Sequence, residues 1–267
     1  MAMKHGFIGY NDLNGVEADS KFSKENGFEL LEYNYWGDFK NVTLETIQKT
    51  HDIHQKYGVG VSSFGIWGWN HLSQNPEERK TAHEMLDRAI EFGKVLQARV
   101  IVTGGGDIPD ASLDDKVNEF AKVFPPFLDK MEKAGMKSAM YAVHGNSFFD
   151  SISAYEKVWE NFPQVGVKYD PANWMHHGDD YLAMMRLHGD KISHMHVKEH
   201  VYSDGKLISQ PAAGMGDIHW GKVMAFLYEH KFSGCLSTEP HGSFWSAGEM
   251  RWKMLLLTKK HISQFLL

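Results

Sequence analysis

The sequence is poor in cysteine, with one residue, Cys235, among 267. That excludes an internal disulfide framework and is compatible with a reducing compartment. Positive charge is also short. Lys and Arg number 28 against 34 Asp and Glu, a formal net charge of −6, and no basic cluster is dense enough to follow a nucleic-acid backbone or an acidic membrane. No apolar run approaches the roughly 18 residues that a membrane-crossing helix needs. The start, MAMKHGFIGY, lacks a long apolar core with a small-residue cleavage site, so no signal peptide is expected. There is no Pro/Ser-rich linker, no low-complexity tract and no short repeat. A dinucleotide fingerprint is missing too: TGGGD at 103–107 lacks the G-x-G-x-x-G spacing and reads as a tight turn. These absences leave a soluble, cytoplasmic globular chain, 42% hydrophobic and 23% charged, long enough to bury a large core.

What the chain does have is alternation. Short apolar runs suited to strands fall at 5–10, 28–33, 59–64, 98–103, 137–143, 165–170, 191–197 and 234–239. Amphipathic stretches with helical spacing lie near 16–26, 44–57, 77–96, 114–134, 151–160, 180–187, 219–230 and 246–265. Some have clear starts, such as Ser112 before LDDKVNEFAKVF and Thr43 before LETIQ. Strand and helix alternating in this way predict βα units around a parallel sheet. Eight units in about 250 residues is the arithmetic of a closed (β/α)8 TIM barrel, here one unit over 1–267. An open doubly wound sheet is the alternative.

In such a barrel the chemistry belongs at the C-terminal ends of the strands. The fifth strand ends near His144, with Asn146 two residues on; the sixth ends at Asp170, the seventh at His196 and the eighth at Glu239. Four consecutive strands thus deliver a metal-compatible side chain to one rim. Two imidazoles and two carboxylates suit one divalent ion, Mn²⁺, Co²⁺, Zn²⁺, Fe²⁺ or Mg²⁺, with Mn²⁺ favoured. The other histidines are mostly expected to be structural: His51, His83 and His230 as surface or core residues, and His194 in a buried hydrogen bond below His196.

The stretches GFELLEY (27–33), KYDPANW (168–174), KISHMHVKEH (191–200) and GMGDIHWGKVMAFLYEHKFSGCLSTEPH (214–241) resemble the sugar isomerase/epimerase-like barrels related to xylose isomerase. The likeness runs along nearly the whole chain. It implies that Asp170, His196 and Glu239 match three metal ligands of that family. The fourth ligand there is usually a glutamate ending the fifth strand, and here His144 stands in its place. In the family's epimerases the fifth- and eighth-strand glutamates flank the substrate as paired acid–base groups, so that pairing does not carry over directly.

The chemistry can also be reasoned from the residues. Removing the hydrogen next to a sugar carbonyl requires stabilising the enediolate charge that develops. Glu239 is the first choice of base. His144 is a candidate ligand, opposite-face acid/base, or both, and Lys198 a candidate for stabilising the oxyanion. Asn146, Asn173, His176 and His241 are candidates for hydroxyl contacts. Trp36 and Trp67 offer flat apolar faces to a sugar ring. Few basic residues and no arginine cluster fall on the rim, which favours a non-phosphorylated substrate. The expected activity is a divalent-metal-dependent isomerase or epimerase acting on a keto-sugar, aldose or polyol-like compound. Alternatives are a lyase or dehydratase that eliminates from a keto-sugar or keto-cyclitol through an enolate, a relative of the abasic-site endonucleases, and a non-catalytic sugar-binding barrel. The expected partner is a small carbohydrate, without nucleic acid or membrane; association into a homo-oligomer is compatible with the sequence.

Overall fold

A computed structural model describes residues 2–266. Among these residues, eight parallel strands close into a barrel: β1 (Lys4–Ile8), β2 (Leu30–Tyr35), β3 (Gly60–Ile66), β4 (Val100–Thr103), β5 (Lys137–Tyr141), β6 (Val167–Tyr169), β7 (Ile192–Val197) and β10 (Cys235–Thr238). Each strand pairs with its sequence neighbour, and β1 meets β10 to complete the ring. The chain is a single (β/α)8 TIM barrel, and the open-sheet alternative is excluded by that closure.

All eight expected strands form, each within a few residues of its expected place. Helix α2 (Leu44–Tyr57) starts where the Thr43 side chain accepts from the Thr46 amide and stops at Gly58, whose φ of 71° suits a residue without Cβ. Three differences from the sequence reading have local causes. The expected helix over 114–134 is two helices, α4 (Leu113–Val123) and α5 (Pro125–Lys133), because Pro125 and Pro126 lack the amides that a continuous helix would need. Asp170 caps an unforeseen helix, α7 (Pro171–His177), accepting from the Ala172 and Asn173 amides. After β7 the chain makes a small antiparallel hairpin, β8 (Val201–Ser203) and β9 (Lys206–Ser209), in a stretch where no strand is expected from the sequence.

Two layers hold the barrel together. Between strands and helices lies an aromatic and aliphatic core that includes Phe7, Phe39, Phe64, Phe92, Phe120, Phe124 and Phe149, all buried. Inside the ring the packing is polar at one level, where Ser63, His194, Ser237 and Glu32 meet. The helix that closes the chain, α10 (Gly248–Ser263), is tied back by Arg251, which donates to both carboxylate oxygens of Asp19 on α1 (Leu13–Asn26) and to the Ile8 carbonyl. This buried bidentate pair locks the last helix to the first βα unit. No helix among the described residues is long and apolar enough to cross a membrane.

Candidate active site

Strand alternation explains how the site is populated. Successive side chains point to opposite faces of a strand, so His194, His196 and Lys198 share one face of β7 and its extension, and Lys168 and Asp170 share one face of β6. All five are buried. The register places Lys168 beside His194 and His196 beside Ser237.

The floor of the site is Glu32, at the middle of β2 and fully buried. His194 donates through Nε2 to Oε2 at 2.7 Å and His196 through Nε2 to Oε1 at 2.8 Å. Ser237 Oγ and Asn34 Nδ2 donate at 2.5 and 2.8 Å. Asn34 in turn accepts from Trp67 Nε1 at 2.8 Å, and Gly65 makes room for it, since a Cβ there would lie 2.3 Å from Asn34 Oδ1. Burial works against ionising Glu32, but the two imidazoles outweigh it and hold the carboxyl well below its usual range.

Above this floor, His196 donates through Nδ1 to Glu239 Oε2 at 2.8 Å, with Asp170 Oδ2 at 3.6 Å. Burial opposes the charged ring, yet Glu32, Asp170 and Glu239 lift His196 to about 10, so it is an imidazolium near neutrality. Lys198 Nζ lies 3.1 Å from Asp170 Oδ2 and 3.2 Å from Glu239 Oε2, and donates to Asn173 Oδ1 at 2.5 Å. Its burial is outweighed by those carboxylates, which push it up to about 12. Lys168 Nζ lies 3.3 Å from the same Asp170 oxygen and over the Trp67 ring, 5.4 Å from its centroid. Asp170 and Glu239 resist the effect of burial through this positive surround and stay ionised.

Three of the expected rim residues therefore converge. Asp170, His196 and Glu239 bring ligand atoms within 4.8 Å of one another, as do Glu32, His194 and His196 one layer below. By donor type and spacing alone, such a Glu/His/Asp cluster could bind a metal. The expected four-residue set is corrected, because His144 belongs to neither group. It is exposed on the loop after β5, where Nδ1 donates to the carbonyl of Ala142, two residues earlier, at 2.8 Å and its ring lies 5.2 Å from that of Trp67. Partial desolvation of the ring by its neighbours and the nearby lysines keep it below the usual histidine range.

The donors suit a divalent ion by type and spacing, but not by charge. The two carboxylates that would grip an ion already face two ammonium groups. As the side chains stand, the set does not fit a resident divalent metal.

The remaining expected residues line the mouth without joining the cluster. Trp36 is exposed and stacks on Trp67 (5.8 Å between centroids), which stacks on Tyr141 (4.3 Å). Asn146 Nδ2 donates to the Gly68 carbonyl at 2.7 Å, His176 Nδ1 pairs with the Tyr202 hydroxyl at 2.7 Å, and His241 Nδ1 lies 3.3 Å from Glu239 Oε1. Asn173 holds Lys198.

Two residues that matter were not singled out. Lys168 stands two before Asp170, and strand alternation was the available signal. Glu199 is buried and gathers the loop after the hairpin by accepting from the Gly214 and Ile218 amides and Trp220 Nε1; nothing in the sequence distinguishes it from a solvated loop acid. His194 makes the buried bond expected of it, and His83 meets the His71 carbonyl.

A closed parallel barrel whose strand ends gather carboxylate, imidazole and ammonium groups has the architecture of a (β/α)8 enzyme. The sequence profile of the family described as Xylose isomerase-like TIM barrel matches residues 21–257, and the chain belongs to that family. No curated relative matches the sequence significantly. Among solved structures, the D-allulose 3-epimerase from Methylomonas sp. superposes with a TM-score of 0.79 at 15% identity, covering 99% of this chain and 98% of that one. The IolI protein with a bound zinc atom gives 0.77 at 14%, covering 98% and 99%. The probable 3-DHS dehydratase AsbF from Bacillus anthracis gives 0.71 at 13%, also covering 98% and 99%. At these identities the likeness is one of fold.

Proposed function

We propose that the protein is an isomerase or epimerase that moves a proton next to the carbonyl of a non-phosphorylated keto-sugar, aldose or polyol-like compound. One observation carries the reading: Glu239, the partly accessible carboxylate of the cluster, is held ionised 3.2 Å from the Lys198 ammonium. A base and a hydrogen-bond donor for oxygen thus share one point of the rim.

Glu239 Oε2 accepts from His196 and lies beside Lys198, while Oε1 faces only His241 Nδ1 at 3.3 Å, so Oε1 is the oxygen assigned to take the proton from carbon. The enediolate oxygen is stabilised by the Lys198 ammonium, which Asn173 and Asp170 fix in place. Fixed donors of this kind lower the barrier because they need no reorganisation as charge develops. In an epimerisation His144, whose Nε2 is left as an acceptor by the Nδ1 bond to Ala142, takes a proton from solvent at Nε2 and delivers it to the opposite face, while Glu239 releases the proton it abstracted to solvent. The Trp36–Trp67 stack offers an apolar face to the sugar. The rim charges are lysines rather than a bidentate arginine fork, which supports a substrate without phosphate. The sugar epimerase among the neighbours of similar fold supports the substrate class.

A second reading is elimination from a keto-sugar or keto-cyclitol. It shares the same base and enolate, and the dehydratase among the neighbours favours it. Both are tested by incubating the protein in deuterium oxide with a panel of ketoses, aldoses and keto-cyclitols, with and without added divalent metal. Deuterium next to the carbonyl with conserved mass otherwise supports isomerisation; loss of water with an enone product supports elimination. No exchange into any substrate would dismiss both.

A further inference from the structure

We infer that Lys168 and Lys198 provide from within the chain the positive charge that Asp170 and Glu239 require, in the position where this donor set would otherwise hold a divalent ion. The inference takes from the proposed function only that these carboxylates form the reacting rim.

Three observations carry it. First, both ammonium nitrogens approach one oxygen, Asp170 Oδ2, at 3.3 and 3.1 Å, and Lys198 also reaches Glu239 Oε2 at 3.2 Å. Oxygen ligands lie about 2.0–2.6 Å from Mg²⁺, Zn²⁺ or Ca²⁺, so an ion on Asp170 Oδ2 would lie within about 6 Å of both nitrogens. Second, the lysines are built in. Lys168 and Lys198 are buried; Trp67 covers the first with its ring face and Asn173 accepts from the second. Neither has the exposed position from which a flexible lysine swings away into water. Third, the fifth strand adds no further donor. Tyr141 stacks on Trp67 and His144 lies outside the cluster, so an ion would have three protein ligands to set against two ammonium groups.

Charge counting agrees with the geometry. Asp170 and Glu239 contribute two negative charges and the lysines two positive ones. A divalent ion added to that arrangement would lie in a buried site with uncompensated positive charge, which low-dielectric surroundings penalise. Lys168 therefore acts as a positioning and charge-compensating residue, while Lys198 also faces the reacting oxygen.

The test is an ion count that does not depend on finding the substrate. Purified full-length protein is incubated with Mn²⁺ or Zn²⁺, desalted and analysed for metal, alongside Lys168→Met and Lys168→Glu. The wild type is expected to retain less than 0.1 ion per chain, and at least one variant about one ion per chain with a thermal midpoint that rises on adding Mn²⁺. One ion per wild-type chain would overturn the inference, as would metal-free variants that are folded by circular dichroism. Should neither variant fold, Lys198→Met provides the same comparison, and the wild-type count remains decisive. A protein that exchanges no substrate hydrogen but follows this ion pattern would refute the proposed reaction and leave the built-in cation standing.

Discussion

Glu32→Gln removes one negative charge from the centre of the barrel and keeps the shape. Glu32 accepts from four groups, His194, His196, Ser237 and Asn34. A glutamine has one acceptor oxygen, and its amide would turn two hydrogens towards neighbours that are themselves donors. Lifting His196 from 6.5 to about 10 corresponds to about 5 kcal/mol of preference for the charged ring. Glu32 is the largest favourable contributor, with Asp170 and Glu239 adding the rest. Breaking a buried ion pair by neutralising one partner typically costs about 3–5 kcal/mol, and the two figures agree. The expected loss is therefore about 3–5 kcal/mol, a fall in thermal midpoint on the order of 10 °C for a chain of this size. Urea denaturation gives the first quantity, and histidine NMR titration shows whether the His196 ring drops from about 10. A loss under about 1 kcal/mol with His196 still titrating near 10 would refute the account of Glu32 as the ring's principal counter-charge.

Other outcomes follow from the same geometry. Glu239→Gln should slow hydrogen–deuterium exchange into an accepted substrate by about 10²–10⁴-fold, the usual contribution of a positioned base, and more than Lys198→Ala does; the reverse order, measured by NMR, would unseat Glu239. Arg251→Met should destabilise by about 3–5 kcal/mol because it strands the Asp19 carboxylate, while adding Asp19→Asn should recover part of that loss in a double-mutant cycle. Stability should peak near pH 6.5. Burial keeps His5 and His54 down at about 4 and His71 at about 3, so their contribution is present above 6.5 and fades as pH falls towards those values. His196 behaves oppositely: its contribution is complete below 6.5 and disappears as pH rises through about 10. A flat denaturation midpoint between pH 4 and 10 would contradict both assignments.

The order of strands, their number and the rim position of Asp170, His196 and Glu239 were legible in the sequence. Alternating apolar runs and helical periods state βα units locally, and each strand end marks where a side chain reaches the mouth. The double proline at 125–126 is the local mark of the break between α4 and α5. His144 shows where strand ends stop being a guide. Its backbone follows β5, yet a short loop with Val143 at a φ of 52° and Asn146 at 60° turns the chain, and the imidazole bonds the Ala142 carbonyl instead of joining the cluster.

Local pattern determined that this chain is a barrel and which residues stand at its open end, because the period of a strand and the spacing of a helix are properties of neighbouring residues. Tertiary closure alone decided what those residues meet. Glu32 from β2 becomes the counter-charge of His196 from β7 because the ring brings opposite sides of the sheet within hydrogen-bonding distance. Lys198 at the end of β7 becomes a partner of Asp170 beside β6 and Glu239 beside β10 for the same reason: whether an ammonium group faces water or a carboxylate on another strand depends on which strands surround it, and no window of sequence contains that information.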